Sequence, residues 1–251
     1  MIQRTSRQQS AKAEYLVNKA TRYRVNATHS AISHRDSPPE LWGDFVFMVP
    51  PFLAYYGVID QNMKFLEEVV RQCQLYSEIL GTNISLEDGQ LCQGLWRHIV
   101  SDPAELTPGT CCSDPDVWLT SNAWAIAGIT RVLAIILNWQ RPDGSPLRQS
   151  EHTSFVDRSR SILIKIVMSM LNCTMKQPPD QKSGLLENYL DGPSHPSAEY
   201  AYGDTAGTAL MISAVYRLAV LLPVNQTSEG QSMQERRILA GKALVKSTGP
   251  K

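Results

Sequence analysis

Residues 118–124 read WLTSNAW, and the stretch AIAGITRVLAIILNW follows directly over residues 125–139. This second stretch is apolar on nearly every face apart from Thr130, Arg131 and Asn138. A helix without a polar face is wrapped by other elements. The two tryptophans and the polar residues between them stand at its amino-terminal mouth, where free backbone N–H groups and the positive end of the helix dipole gather. The sequence therefore predicts a central buried helix with a polar and aromatic entrance.

Two further segments repeat this plan. Trp42-Gly43-Asp44 leads into the apolar run Phe45–Tyr56, and Gly203-Asp204-Thr205 leads into the apolar run Ala206–Leu222. Three apolar helices, each entered through a polar turn, indicate one ring of helices with a functional rim at the entrances.

Amphipathic segments alternate with the apolar ones. Apolar residues recur at spacings of three and four over residues 63–80, which Gly81 ends, over residues 155–173 and, more weakly, over residues 234–245. Inner helices that alternate with outer ones form αα-hairpins, and stacked hairpins make an all-α toroid of the (α/α)6 type. About seven predicted helices are too few for six hairpins, so the ring is incomplete in this chain. It is either open or closed by a partner chain, as in a homo-oligomer.

Local signals refine this outline. Residues 8–25 favour a moderate helix, and Pro50 with Pro51 predicts a kink or a break in the second apolar run. Gly57 suits the carboxyl end of that helix, and Leu185–Leu190 suits a short strand. No Pro- or Ser-rich linker divides the chain, so we expect one domain over residues 1–251.

The overall charge excludes some classes of partner. The chain carries 24 basic and 24 acidic side chains, so it offers no electrostatic reason to bind nucleic acid or an anionic membrane surface. The longest apolar runs carry charged residues in mid-segment and have the length of core helices, so no membrane-spanning helix is predicted. Motifs for phosphate loops, dinucleotide binding and metal-dependent cyclases are missing from the sequence.

Signals for the cellular compartment disagree. The amino-terminal residues 1–7 lack the apolar run of a secretory signal, which predicts that the chain as given stays in the cytoplasm. Four Asn-X-Ser/Thr sequons, at Asn26, Asn83, Asn172 and Asn225, point instead to secreted relatives.

The five cysteines give neither a zinc site nor a CxxC redox pair. Cys73 falls on the apolar face of a predicted helix and is expected in the core. Cys92 with Cys111 or Cys112 would bridge a loop in an oxidising compartment, and spacing leaves this pairing open.

Several blocks of sequence occur together in a fixed order between about residues 30 and 222. They are Ser33-His34-Arg35, WGDFVFMVPPF over 42–52, GLWRH over 94–98, WLTSNAW over 118–124 and AGTA over 206–209. In order and spacing they resemble the six-hairpin glycosidases of the unsaturated rhamnogalacturonyl hydrolase type, glycoside hydrolase family 105 with its family 88 relatives. The resemblance looks closest to the fungal branch.

The resemblance implies an (α/α)-barrel hydrolase that acts on oligosaccharides left by polysaccharide lyases. In such enzymes an aspartic acid protonates the C4=C5 enol ether of a terminal unsaturated uronate, water adds at C5, and the hemiketal opens to release the sugar. No metal or organic cofactor is implied. The chemistry needs a carboxyl group of tuned protonation, a positioned water and flat aromatic walls.

Site residues follow from the matching positions. Asp44 matches the family aspartate and is the candidate for acid/base or water-positioning work, although an aspartate before an apolar helix also makes a good N-cap. His98 matches a family histidine that orients substrate or tunes Asp44, with a buried structural histidine as the alternative. Trp118 and Trp124 match the family tryptophans that would stack on sugar faces, with core packing as the default for a tryptophan on such a helix, and Trp42 belongs to the family's tryptophan–aspartate block. Asn122 matches a family asparagine of the substrate site and is expected to tie down the loop rather than touch substrate.

Two positions depart from the family pattern. The family places a Trp-Asp pair shortly after the histidine, and its aspartate is the usual proton donor; the nearest carboxylate here is Asp102, one place late and before a proline. Thr120 stands where the family has an arginine suited to a uronate carboxylate, so the substrate site lacks a bidentate clamp.

These departures keep a second hypothesis open. The first is a glycosidase in which Asp44 and Asp102 are catalytic. The alternative is a catalytically degenerate homologue that binds carbohydrate or a protein and keeps the aromatic walls. A small-molecule cyclase that reuses the α-barrel ranks last, because no Asp-Asp-x-x-Asp motif is found.

Overall fold

A computed structural model of the chain describes residues 2–24, 30–86, 88–102, 114–141, 143–144, 147–191 and 202–222. Its helices are α1 (Ile2–Asn18), α2 (Phe45–Ile59), α3 (Met63–Leu80), α4 (Leu119–Leu137), α5 (Gln149–Thr174) and α6 (Thr205–Leu221). Its strands are β1 (Arg22–Arg24), β2 (Ser30–Ile32), β3 (Glu40–Trp42), β4 (Gly81–Ser85), β5 (Leu91–Trp96) and β6 (Ile99–Ser101). The predicted helix over residues 234–245 lies outside the described residues.

The apolar helices form the inner layer, as the sequence predicts. Helix α4 lies between α2 and α6 and packs against both, while the amphipathic helices α3 and α5 cover them from outside. By length and composition α4 could cross a membrane, but 78% of its apolar 18-residue window is buried in this fold. Packing against the neighbouring helices therefore accounts for its apolar character.

Of the kink or break predicted at Pro50 and Pro51, the break is wrong, because α2 runs without interruption from Phe45 to Ile59. The two prolines remove the amide hydrogens that would bind the carbonyls of Val46 and Phe47. The Arg131 guanidinium of α4 replaces one of them by donating a hydrogen bond of 3.1 Å to the Phe47 carbonyl. The neighbouring helix therefore supplies a partner that the prolines cannot.

Arg131→Met tests this support. Arg131 also lies over the Phe47 ring at 4.7 Å, so the substitution removes a charged hydrogen bond and a cation–π contact. We expect it to lower the free energy of unfolding by about 1 kcal/mol at this exposed site. Urea unfolding measures the change, and Arg158→Met on the exposed face of α5 is the control, with an expected change near zero. Equal effects of the two substitutions would contradict this account of α2.

Three predicted boundaries need correction. Helix α2 continues past Gly57 to Ile59, because Gly57 lies inside the helix and lets Phe65 and Leu66 of α3 approach closely. Helix α1 begins earlier than predicted and ends at Asn18, because residues 22–24 pair with β2 instead of continuing the helix. The stretch 185–190 forms single bridges, Pro179 with Leu186 and Glu187 with Gly203, rather than a strand.

The strands form three antiparallel two-stranded sheets, β1–β2, β3–β6 and β4–β5. Pairing of β3 with β6 places Trp42 opposite Ile99 and Glu40 opposite Ser101. This pairing matters for function because it carries the entrance of α2 to the residues that precede β6.

The cysteines are arranged differently from either predicted pairing. The structure bonds Cys92 of β5 to Cys173 of α5, whose Cα atoms lie 5.6 Å apart, while Cys111 and Cys112 lie outside the described residues. Cys73 is a fully buried free thiol in the core, as predicted. Of the four sequons, Asn83 and Asn172 are described, and both are exposed.

Candidate active site

A cleft of about 680 Å³ opens at the rim where α4 and α6 begin. Its described lining comes from the entrances of these helices and the loops beside them: His98, Asp114, Pro115, Asp116, Trp118, Thr120, Asn188, Tyr189, Tyr202, Asp204 and Ala206. Asp44 does not line the cleft, but its carboxylate contacts His98, which does line it.

Short backbone pairings hold the rim together. The Gly43 amide donates to the His98 carbonyl, and the amides of His98 and Ile99 donate to the carbonyls of Asp116 and Asp114. On the other side, Trp118 forms an isolated antiparallel bridge with Tyr189. Segments far apart in the chain therefore meet around one histidine.

Asp44 precedes α2, but its side chain makes no capping hydrogen bond. Its Oδ2 instead lies 3.5 Å from Nε2 of His98 and accepts a hydrogen bond of 3.4 Å from the Ser121 hydroxyl. Gly43 permits this approach, because a Cβ there would lie 2.3 Å from the Ser121 Oγ. The carboxylate of Asp44 therefore does not act as the N-cap of α2 and is directed towards His98 and Ser121 instead.

His98 is held between two carboxylates. Its Nδ1 lies 2.8 Å from Oδ2 of Asp114, opposite the contact with Asp44. Burial acts to lower the pKa of His98, but the hydrogen bonds to Asp114 and Asp44 outweigh it and raise the pKa above its ordinary value. The imidazole therefore remains protonated at higher pH than a free histidine.

Asp114 stays ionised more readily than an ordinary aspartate. Burial opposes this, but hydrogen bonds from His98 and from the Tyr189 hydroxyl, the latter 2.8 Å long, lower the pKa of Asp114. The same contact and burial raise the pKa of Tyr189, so its hydroxyl remains a donor. Asp114, His98 and Asp44 form a row in which the carboxylate of Asp114 is the anchored one.

The predicted aromatic walls differ in their surroundings. The Trp118 indole lines the cleft, contacts the His98 ring at 4.5 Å and donates from Nε1 to Asn188. Trp42 stacks on His34 and meets His98 edge-on at 5.7 Å. Trp124 is not among the described cleft residues and packs edge-on against Phe47 at 4.3 Å.

Asn122 and Thr120 hold the rim in different ways. Asn122 is fully buried, donates to the carbonyls of Trp96 and Trp118 and accepts from the Trp96 amide, so it ties the α4 entrance to β5. Thr120 lines the cleft and donates a hydrogen bond of 2.6 Å to Asp204. Asp204 also accepts from the Gly207 amide and thereby caps α6.

Asp102 lies apart from this cluster. It follows β6, is buried, and its backbone amide binds the Pro39 carbonyl. Its charge raises the pKa of Tyr23, for which burial is the larger cause. Asp102 is not among the described residues that line the cleft, and the second carboxylate in contact with His98 is that of Asp114.

Sequence reasoning missed Asp114 and Tyr189. Asp114 follows a stretch of sequence rich in Pro, Gly and Asp in which no periodicity marks any single carboxylate, and Tyr189 stands 75 residues further along the chain. The proximity of Asp114 to the WLTSNAW block was the only available signal. Within the described ranges, no group of three or more His, Cys, Asp or Glu residues is placed to hold a metal ion.

Comparison with known families shows to which family the chain belongs. The model of Glycosyl Hydrolase Family 88 matches residues 3–246. The chain belongs to glycosyl hydrolase family 88. No curated protein matches it by sequence.

Solved structures show the same fold at low sequence identity. A possible member of family 105 from Klebsiella pneumoniae superposes with a TM-score of 0.65 at 18% identity, covering 97% of this chain and 53% of its own. The unsaturated glucuronyl hydrolase from Bacillus sp. GL1 superposes with a TM-score of 0.58 at 16% identity, covering 98% and 57%. The helical part of this family 88 chain is therefore built as in the six-hairpin toroid, and the chain spans about half the length of these relatives.

Proposed function

We propose that this family 88 chain hydrolyses oligosaccharides that end in a 4,5-unsaturated uronate. The observation that carries the proposal is the row Asp44–His98–Asp114 at the edge of a cleft walled by Trp118. The glucuronyl hydrolase named above is described as responsible for the degradation of glycosaminoglycan. A carboxyl group that holds and releases a proton beside an aromatic wall suits protonation of an enol ether.

The two carboxylates have different roles. Asp114 accepts hydrogen bonds from both His98 and Tyr189, which holds its pKa down and keeps it ionised. We therefore assign the role of the acid, which supplies one proton, to Asp44, whose carboxylate lies 3.5 Å from His98. The carboxylic acid of Asp44 delivers this proton to C4 of the unsaturated ring, and water adds at C5. The C5 hemiketal opens by breaking the C5–O5 ring bond, which leaves a ketone at C5 and a hemiacetal at C1. The hemiacetal collapses to an aldehyde and releases the leaving sugar as an alcohol, and Asp44 recovers a proton from the added water.

His98 also sets the charge of the cleft. The described lining contains the carboxylates of Asp114, Asp116 and Asp204 and, apart from His98, no basic side chain. An anionic uronate enters such a cleft most readily while the His98 imidazolium offsets part of the negative charge.

A direct assay tests the proposal. The protein is incubated with unsaturated rhamnogalacturonan and glucuronan disaccharides, and loss of the enol-ether absorbance is followed, with the saturated disaccharides as controls. We expect turnover of at least one unsaturated substrate and none of its saturated counterpart. Absence of turnover on every unsaturated disaccharide would contradict the proposal.

The pH dependence of KM is expected to follow His98. Its raised pKa means that the imidazolium is fully present below the ordinary histidine value and is lost as pH rises through the folded-state value. We therefore expect KM for an unsaturated disaccharide to increase as the pH rises above the ordinary histidine value of about 6.5. Steady-state kinetics at fixed ionic strength measure the increase. His98→Gln should give a KM that varies little with pH, and an equally steep profile in that variant would contradict the role of His98.

The acidic cleft also favours a second candidate function. Thr120 occupies the position where the resemblance expects an arginine, and its hydroxyl is committed to Asp204. A homologue that has lost turnover would bind a neutral oligosaccharide against Trp118 without cleaving it. Calorimetric binding of saturated oligosaccharides, together with no turnover of unsaturated ones, would support this reading.

A further inference from the structure

Helix α2 carries an exposed apolar stripe on the side that does not pack inside the fold. Met48, Tyr55 and Ile59 are 55%, 62% and 63% exposed, and half-buried Phe52 lies between them at helical spacing. Phe52 also lines a groove of about 510 Å³ between α1 and α2. A continuous apolar stripe of this kind marks a surface that another element covers.

Helix α6 carries an exposed stripe of different character. Ala206, Ala209 and Ser213 are small, and Arg217 and Val220 continue the stripe towards the end of the helix. Beside its last turns lies a largely apolar groove of about 390 Å³ between α4 and α6. Small residues allow another helix to approach closely, so this stripe accepts large side chains where the α2 stripe presents them.

The two stripes stand on helices that α4 separates, so they belong to different flanks of one half-ring. The described residues supply three inner helices, α2, α4 and α6. Two copies of the chain would therefore supply the six inner helices of a complete toroid.

We propose that a second copy of this chain covers both stripes, with α2 of each copy packed against α6 of the other. Each contact between α2 of one copy and α6 of the other is called a seam. A two-fold axis makes the two seams identical and closes the ring, so no apolar flank is left for further association. This inference concerns assembly and goes beyond the proposed activity.

The common rim sets the register of each seam. At the entrance of α4, Thr120 contacts Asp204 at the entrance of α6, and Ser121 contacts Asp44 at the entrance of α2, so the three inner helices run in the same direction from one rim. Tyr55 and Arg217 lie 11 and 13 residues beyond the entrance residues Asp44 and Asp204, and Ile59 and Val220 lie 15 and 16 residues beyond them. At a rise of about 1.5 Å per residue, each pair falls within about 3 Å in height, so we place Tyr55 of one copy against Arg217 of the other and Ile59 against Val220. The guanidinium above a tyrosine ring and the contact between two aliphatic side chains are both favourable.

The seam also adjoins the cleft. Ala206 lines the cleft and begins the exposed stripe of α6. In the closed ring the cleft therefore continues onto the second copy, next to the entrance of its α2.

Sedimentation velocity on the full chain tests the assembly without any substrate, so its outcome is independent of the assay for turnover. Between about 1 and 100 µM we expect a species of twice the 28.0 kDa chain mass. Ile59→Glu should weaken the dimer by about tenfold or more, because it places a carboxylate against Val220 at both seams. Leu91→Glu on β5 is the matched control, since Leu91 is equally exposed but lies away from both stripes.

A charge exchange tests the pairing of α2 with α6. Tyr55→Lys should dissociate the dimer more than Tyr55→Glu, because only the lysine repels Arg217, and the double variant Tyr55→Lys/Arg217→Glu should restore it. Circular dichroism checks that each variant is folded. A species of one chain mass at about 100 µM would overturn the proposal. So would a dimer that Ile59→Glu and Tyr55→Lys leave unchanged.

Discussion

Asp44→Asn is expected to lower kcat on an unsaturated uronyl disaccharide by about 10²–10⁴-fold, the range that general acid–base groups contribute. The amide keeps the size of the side chain and still accepts from Ser121, but it can neither deliver nor recover a proton. Initial rates of enol-ether loss at saturating substrate measure the effect.

Two further variants show whether the loss of kcat is specific to Asp44. Asp157→Asn on the exposed face of α5 is the matched control and should leave kcat unchanged. Asp114→Asn should lower kcat less than Asp44→Asn, because an amide oxygen still accepts the hydrogen bonds from His98 and Tyr189. An Asp44→Asn protein that keeps more than about half the wild-type kcat would contradict the assignment of the acid.

Gly128→Ala is expected to cause the largest loss of stability, about 3 kcal/mol in the free energy of unfolding. A Cβ at this position of α4 would lie 2.3 Å from the Val46 carbonyl oxygen and 2.6 Å from the Phe47 Cα. Both are backbone atoms of α2, so the two central helices would have to separate. Urea unfolding monitored by circular dichroism measures the change.

Gly57→Ala is the control for the helix-propensity part of this change. Gly57 also lies inside a helix, but a Cβ there would meet the end of the Leu66 side chain at 2.9 Å, and that side chain can move. The gain in helix propensity, about 1 kcal/mol, then offsets the contact, so we expect little net change. If Gly128→Ala were as mild as Gly57→Ala, close packing of α2 on α4 would not be what holds the inner layer together.

The pattern of apolar and polar residues was sufficient to predict that inner and outer helices alternate. Residues 125–139 have no polar face, and α3 repeats its apolar positions with helical spacing, so burial follows from local order alone. The continuity of α2 could not be predicted in this way. The Phe47 carbonyl that Pro51 leaves without a partner binds Arg131, 84 residues from Phe47 in the chain, and no local rule predicts such a contact.

In the candidate site, too, some residues could be predicted from the sequence and others could not. The blocks WGD, GLWRH and WLTSNAW located Asp44, His98 and Trp118 at a rim, and the structure places His98 in contact with the other two. The partner that anchors His98 was not predicted, because Asp102 fitted the spacing better than Asp114. Backbone pairing of His98 and Ile99 with residues 114–116 decides between them, and it exists only in the folded chain.

Deuterium at C4 of the released uronate is the most direct evidence for proton delivery to the enol ether. The reaction is run in D2O with an unsaturated disaccharide, and the product is analysed by NMR and mass spectrometry as it forms. Our account predicts one deuterium at C4 in every product molecule, formed at a rate that falls with the Asp44→Asn substitution. Cleavage of the disaccharide without deuterium at C4 would contradict it.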